Sequence, residues 1–158
     1  MGSGRSLPGP ARPRRSPRLP PVCYLESSAL VKLAIEEAES DETRFFISGV
    51  RWASSELVVT ELPRAIRHRA AIDPRVDLAV SLNKTEAALR KLALHPIERA
   101  ALWRAGRIFE PHLRSLDAIH VVTALELGPI KAFVTYDQRQ AAAARDAGLP
   151  TASPGMKR

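Results

Sequence analysis

One cysteine, Cys23, occurs in the 158 residues. A lone thiol cannot close an internal disulfide or build a cysteine-rich metal site, which excludes disulfide scaffolds and zinc fingers and makes a reducing cytoplasm the expected setting. Aromatic residues are only 5% of the chain, too sparse for the platforms on which single-strand binders stack successive bases. Trp52 and Trp103 are therefore read as core or interface residues. No apolar run approaches the roughly 18 residues of a membrane-spanning helix, so a soluble protein without a membrane partner is expected. Acidic residues are missing altogether from positions 1 to 21.

That last absence locates the charge. The formal net charge is +7, and residues 1 to 21 hold five arginines (Arg5, Arg12, Arg14, Arg15 and Arg18). The remainder carries 19 basic against 17 acidic side chains, so global charge does not argue for a nucleic-acid binder. The same 21 residues contain six prolines and only two leucines. They cannot bury enough surface to offset the entropy of ordering and are expected to form a disordered extension. Met1 to Gly4 reads as an engineered leader. The folded domain is expected over 22 to 152, with a flexible tail at 153 to 158.

From Val22 the pattern changes. Val22-Cys23-Tyr24-Leu25 is a short apolar run stopped by Glu26, a strand feeding a helix over 29 to 38 that Ser27 or Ser28 can cap. A second strand at 52 to 54 precedes helical sequence over 56 to 71, which Pro63 should kink or restart. Asp73-Pro74 should open a helix over 75 to 93. A strand at 94 to 97, helices at 98 to 109 and 116 to 127, a strand at 131 to 136, a helix from Asp137 to Gly148 and an edge strand at 150 to 152 complete the series. Gly128 and Pro129 should end the helix before them. Strands alternating with helices imply an α/β fold, with helices on both faces of a mostly parallel twisted sheet. Ligands of such folds bind beyond the carboxyl ends of the strands.

Four acids stand near that edge. Glu26 follows the first strand, and Asp137 follows the strand at 131 to 136; the former can mark an exit into water and the latter can be a helix N-cap. Asp117 precedes Ala-Ile-His-Val-Val-Thr-Ala-Leu, a helix apolar on nearly every side and so buried, although Asp117 can also complement the positive end of the dipole while Ser115 caps. Glu61 lies on an apolar line, with Arg64 in reach as an ion-pair partner. Four converging carboxylates cannot all stay ionised in a dry site without a cation. All-oxygen ligands suit Mg²⁺ or Mn²⁺ better than zinc. The implied chemistry is phosphodiester or phosphoryl hydrolysis, in which one metal activates water and a second, about 4 Å away, can stabilise the leaving oxygen.

Tyr-Leu-Glu-Ser-Ser-Ala-Leu-Val-Lys-Leu at 24 to 33, Ser-Ser-Glu-Leu-Val-Val-Thr-Glu-Leu-Pro-Arg-Ala at 54 to 65, Leu-Arg-Ser-Leu-Asp-Ala-Ile-His at 113 to 120 and Phe-Val-Thr-Tyr-Asp at 133 to 137 together resemble the PIN-domain ribonucleases, specifically the VapC-type toxins of toxin–antitoxin pairs. The resemblance spans residues 22 to 150. It implies a three-layer α/β/α PIN-like domain and a Mg²⁺-dependent endoribonuclease whose acid quartet is Glu26, Glu61, Asp117 and Asp137. Ser28 and Thr135 match polar positions that orient ligands or metal-held water, and His120 matches a helix-packing or hydrogen-bonding position. It also implies cleavage of tRNA or ribosomal RNA loops, a homodimer, and silencing by a small VapB-type antitoxin.

The sequence departs from the family at Glu26, where Asp is usual. One extra methylene displaces the carboxylate, while Mg²⁺ demands ligand distances of about 2.0 to 2.1 Å. Either the backbone compensates or the residue attenuates a toxic enzyme by design; the second is favoured by the engineered look of the N-terminus. The alternative function is a catalytically silent PIN-like module that acts by binding antitoxin or RNA. A haloacid-dehalogenase-like phosphatase is a further rival, but Glu26-Ser27-Ser28 lacks the Asp-x-Asp it needs. Arg64, Arg67, Arg69 and Arg114, with His68 and Arg75, are candidates to contact RNA phosphates; a solvated helix face is the plainer reading of the cluster at 64 to 75.

Overall fold

The structure, a computed structural model, describes residues 19–108 and 110–157. The expected N-terminal extension thus lies outside the described residues except for its last three positions, as do Phe109 and Arg158. Among the described residues five strands form one sheet, β1 (Val22–Leu25), β2 (Arg51–Ser55), β3 (Leu92–His95), β4 (Ala132–Val134) and β5 (Thr151–Ala152), in the order β3-β2-β1-β4-β5. Every pairing is parallel. The chain runs outward from β1 in one direction, then returns to β4 on its other side, so the strand order reverses between β1 and β4. A crevice at the carboxyl ends of those two strands is where such a sheet places its chemistry.

Among the described residues seven helices cover the sheet: α1 (Ser27–Ala34), α2 (Ser40–Phe46), α3 (Val58–Ile72), α4 (Leu78–Lys91), α5 (Arg99–Ala105), α6 (Ser115–Glu126) and α7 (Gln138–Asp146). Alternation along the central strands divides the core into two faces, because successive side chains of a strand point to opposite sides. Cys23 and Leu25 of β1, with Ala132 and Val134 of β4, pack with Leu30 of α1 and Val58, Leu62 and Ile66 of α3. Tyr24 and Phe133, between them in sequence, pack on the other side with Val121 and Ala124 of α6, Ala144 of α7 and Leu149. This is the three-layer arrangement, and strands buried on both faces read as nearly continuous apolar runs.

Several boundaries differ from expectation for identifiable reasons. Glu26, rather than Ser27 or Ser28, is the N-cap of α1 and accepts from the Ser28 N–H. That helix ends at Ala34, and α2 follows as a separate element. Pro63 lies within α3, which neither stops nor restarts there. Asp73-Pro74 forms a turn, in which Asp73 Oδ1 accepts from Arg75 N–H, while Asp77 caps α4 by accepting from Val80 N–H. The third strand is two residues earlier than expected, ahead of Pro96, which has no N–H to give a ladder. Gly128 takes φ +76° just beyond α6, the left-handed conformation that ends a helix at low cost in glycine. Ser153 and Pro154, in the expected tail, are tied to the β4 exit through Ser153 Oγ to Thr135 O and Tyr136 Oη–H to Pro154 O. No helix among the described residues is long and apolar enough to cross a membrane.

Candidate active site

Glu26 leaves β1 at its carboxyl end and is buried, only 7% exposed. Its Oε2 accepts from Ser28 N–H at 2.9 Å, from Ser28 Oγ at 2.5 Å and from Thr135 Oγ1 at 3.2 Å. Ser28 Oγ in turn accepts from Tyr136 N–H at 2.8 Å. Ser28 and Thr135 therefore bind the Glu26 carboxylate directly and fasten the β1 exit to the β4 exit. Thr135 Oγ1 also contacts Gln140 Oε1 at 2.7 Å.

Glu61 stands in the first turn of α3, above the end of β2. Its Oε2 accepts from Ser27 Oγ at 2.5 Å and lies 2.7 Å from His120 Nε2. The expected partner Arg64 is not the one used: Arg64 is exposed, and α3 turns Glu61 toward α6 instead. Burial pushes the Glu61 carboxyl up, but the hydrogen bonds of His120 and of the Ser27 hydroxyl outweigh it and hold Glu61 below its ordinary value. His120 is wholly buried and its Nδ1 lies 2.6 Å from Tyr24 Oη, which accepts from Ser55 N–H at 3.0 Å. Burial, the dominant cause, pushes the Tyr24 phenol far up, so it remains protonated.

The two aspartates complete the edge from the helix starts. Asp137 caps α7, its Oδ1 accepting from Arg139 N–H at 2.8 Å and Gln140 N–H at 3.1 Å; burial opposes ionisation, but these N–H groups and the Arg139 side chain hold the carboxyl below its ordinary value. Asp117 lies in the first turn of α6, where its Oδ2 accepts from Arg114 N–H at 3.3 Å, and Arg114 rather than Ser115 is the N-cap. Burial first, then the negative charge of Asp137, raises the Asp117 carboxyl.

Two strings of contacts result: one runs from Glu26 through Thr135 to the Asp137 N–H, with the Asp137 charge acting on Asp117, and the other from Ser27 through Glu61 and His120 to Tyr24. Sequence reasoning missed Ser27, Tyr24 and Gln140. The buried phenol of Tyr24 was the available signal, since a buried Tyr hydroxyl needs a partner. Among the described residues no group of three or more acids, histidines or cysteines stands close enough to hold a metal ion. The donor chemistry nevertheless suits a hard divalent cation, because the rim offers carboxylate and hydroxyl oxygens, and a cation would relieve the opposition of Asp117 and Asp137.

The basic candidates are dispersed. Arg64, Arg67, His68 and Arg114 are exposed, Arg69 pairs with Glu37, and Arg75 pairs with Asp73 at 2.8 Å. A cleft of about 530 Å³ between α1, α3 and α4, lined by Glu36, Glu37, Arg69, Asp73 and Lys84, lies away from the rim. Trp103 is 68% exposed on α5, outside the core, and Trp52 is half-buried with Nε1–H donating to Ile47 O.

Residues 23–146 match the PIN domain family model. The chain is 39% identical over 143 residues to "Ribonuclease VapC35" of Mycobacterium tuberculosis, covering 87% of this chain and 100% of that protein. Among solved structures, Mycobacterium tuberculosis VapC20, described as a sarcin–ricin loop cleaving toxin, superposes with a TM-score of 0.60 at 16% identity, over 77% of this chain and 94% of that one. VapBC2 from Rickettsia felis, bound to a DNA fragment from its promoter, gives 0.60 at 12% identity, over 83% and 97%. At these identities the structural likeness is one of fold.

Proposed function

We propose, from the premise that this chain belongs to the PIN-domain family as a VapC-type ribonuclease, that it is a divalent-metal-dependent endoribonuclease toxin acting on structured tRNA or ribosomal RNA and held in check by a VapB-type antitoxin. What supports this reading is the placement of Glu26, Glu61, Asp117 and Asp137 near the carboxyl edge of the sheet, with Glu26 and Glu61 held by neighbouring hydroxyls and Asp117 facing the charge of Asp137. These four residues would hold Mg²⁺ or Mn²⁺. Bound there, such an ion supplies the Lewis acidity that activates water and steadies charge on the scissile phosphate.

The chain's own residues do the rest. Ser28 and Thr135 fix Glu26, and Ser27 with His120 fixes Glu61, so two of the four carboxylates are oriented before any ligand arrives. The α6 and α7 N-termini set Asp117 and Asp137 against each other, favouring a cation between them. Arg64, Arg67 and Arg114 supply exposed positive charge for RNA phosphates, a contribution that added salt weakens. A VapB-type antitoxin and a homodimer belong to the same proposal.

Incubation of the purified protein with structured RNAs, with Mg²⁺, Mn²⁺ or EDTA, tests the reading. The expected result is cleavage lost in EDTA and in Asp117→Asn; the absence of cleavage under every metal condition, with RNA or antitoxin still bound, would favour the silent module. The grip of Ser28 and Thr135 on Glu26 is what gives that second reading weight.

A further inference from the structure

We infer that Tyr24 and His120 are positioning residues for Glu61: a buried relay from Ser55 N–H to Tyr24 Oη, from Tyr24 O–H to His120 Nδ1 and from His120 Nε2–H to Glu61 Oε2 anchors one carboxylate oxygen and reserves Oε1 for a ligand at the rim. The inference rests on the reading of Glu61 as part of the cation site.

Proton direction follows from the groups present. Ser55 N is a backbone donor, so Tyr24 Oη accepts at that contact. The phenol has one proton of its own, and in the relay its acceptor is His120 Nδ1, 2.6 Å away. A ring nitrogen that accepts carries no proton, which places the imidazole proton on Nε2, facing Glu61 Oε2 at 2.7 Å. The opposite neutral tautomer would set two lone pairs against each other at that distance. Packing holds both rings in this arrangement. Tyr24 and His120 are both 0% exposed; the Tyr24 ring stacks on Phe133 with centroids 5.1 Å apart, and the His120 ring meets it edge-on at 5.9 Å and 78°.

The far end of the relay is selective. Ser27 Oγ and His120 Nε2 both bond Oε2 of Glu61, and no hydrogen bond to Oε1 is found among the described residues. A carboxylate held twice by one oxygen cannot rotate freely, so its other oxygen keeps a fixed direction. Hydrogen-bond partners of this kind commonly alter metal affinity by about 10- to 100-fold.

Two measurements on the full-length protein test the relay. Nitrogen-15 NMR of the metal-free protein reads the His120 tautomer: the expected result is Nε2–H in the wild type and a mixture in Tyr24→Phe. Titration with Mn²⁺ alone, followed by the electron paramagnetic resonance signal of the free ion, reads the second effect. His120→Leu is expected to bind about tenfold more weakly, Tyr24→Phe more weakly by a smaller factor, and His120→Gln within about threefold of wild type, since a Gln side-chain N–H can replace Nε2–H. Circular dichroism checks that each variant is folded. An Nδ1–H ring in the wild type, or equal Mn²⁺ affinity for wild type and His120→Leu, would overturn the relay. Should His120→Leu fail to fold, an unchanged tautomer and unchanged affinity in Tyr24→Phe would overturn it instead. If the wild type binds no Mn²⁺, the cation reading of the rim fails, and the tautomer alone then decides the relay.

Discussion

The rim has two unlike halves. Glu26 and Glu61 are enclosed, and each is gripped by side chains from other elements: Ser28 and Thr135 on one, Ser27 and His120 on the other. Asp117 and Asp137 sit at helix starts, bonded mainly to backbone N–H groups of their own helices and opposed to each other in charge. The first half is organised by hydrogen bonds that persist without a ligand. The second holds an electrostatic opposition that a cation would relieve. Such a division lets the protein fold with four acids at one edge, because only one pair is left opposed.

The comparison is most severely tested by Asp117→Asn. RNA cleavage is expected to fall about a thousandfold, since metal-assisted chemistry contributes several kcal/mol and each 1.36 kcal/mol is tenfold; retention of most activity in a cleavage time course would remove the open half from the mechanism. Next is Glu26→Asp. Asp is itself a good N-cap, so α1 should survive while the carboxylate draws back by one methylene. Cleavage and Mn²⁺ affinity are both expected to rise about tenfold, a magnitude typical of repositioned ligands, and no rise in either would show that Glu26 does not attenuate the enzyme. Tyr24→Phe addresses the organised half through stability. It leaves Ser55 N–H and His120 Nδ1 short of a buried partner, and urea unfolding should show a loss of about 1 to 2 kcal/mol.

The smallest effect concerns pH. The folded-state carboxyl of Asp117 lies above its ordinary value of 3.8, so its stabilising contribution is fully present below pH 3.8 and is lost as pH rises through the folded value. Asp117→Asn removes that loss. At pH 7 thermal melts should show a gain of about 0.5 kcal/mol, small because solvent screens a partly exposed charge, and the gain should vanish below pH 3.8. A gain that persists at low pH would place its origin elsewhere than the ionisation of the partly buried Asp117.

Much of this was legible from the chain. The exit of β1 at Glu26 was marked by an apolar run that stops at an acid, and the burial of α6 by its nearly unbroken apolar sequence, while β4 ends at Val134, three residues short of Asp137 and two short of the strand expected to reach Tyr136. The Asp137 cap, an ordinary structural role, proved real and coexists with its place on the rim. What escaped was set by tertiary contact. Helix α2 is seven residues long, too short to display a clear stripe, and its Ser40 and Thr43 bond to Ile35 O and Glu39 O. The pairing of Tyr24 with His120 joins residues 96 apart in sequence, and neither side chain's spacing announces the other. The choice by Glu61 of His120 over Arg64 depends on how the sheet sets α3 and α6, on its opposite faces, relative to each other, which a helical periodicity does not encode.

The most direct test of one shared cation site is the Mn²⁺ affinity of four single variants, Glu26→Gln, Glu61→Gln, Asp117→Asn and Asp137→Asn. All four are expected to weaken binding by about tenfold or more, as losses within one coordination site should. Weakening by the two aspartate variants alone, with both glutamine variants binding as the wild type does, would contradict it and reduce the site to the open half of the rim.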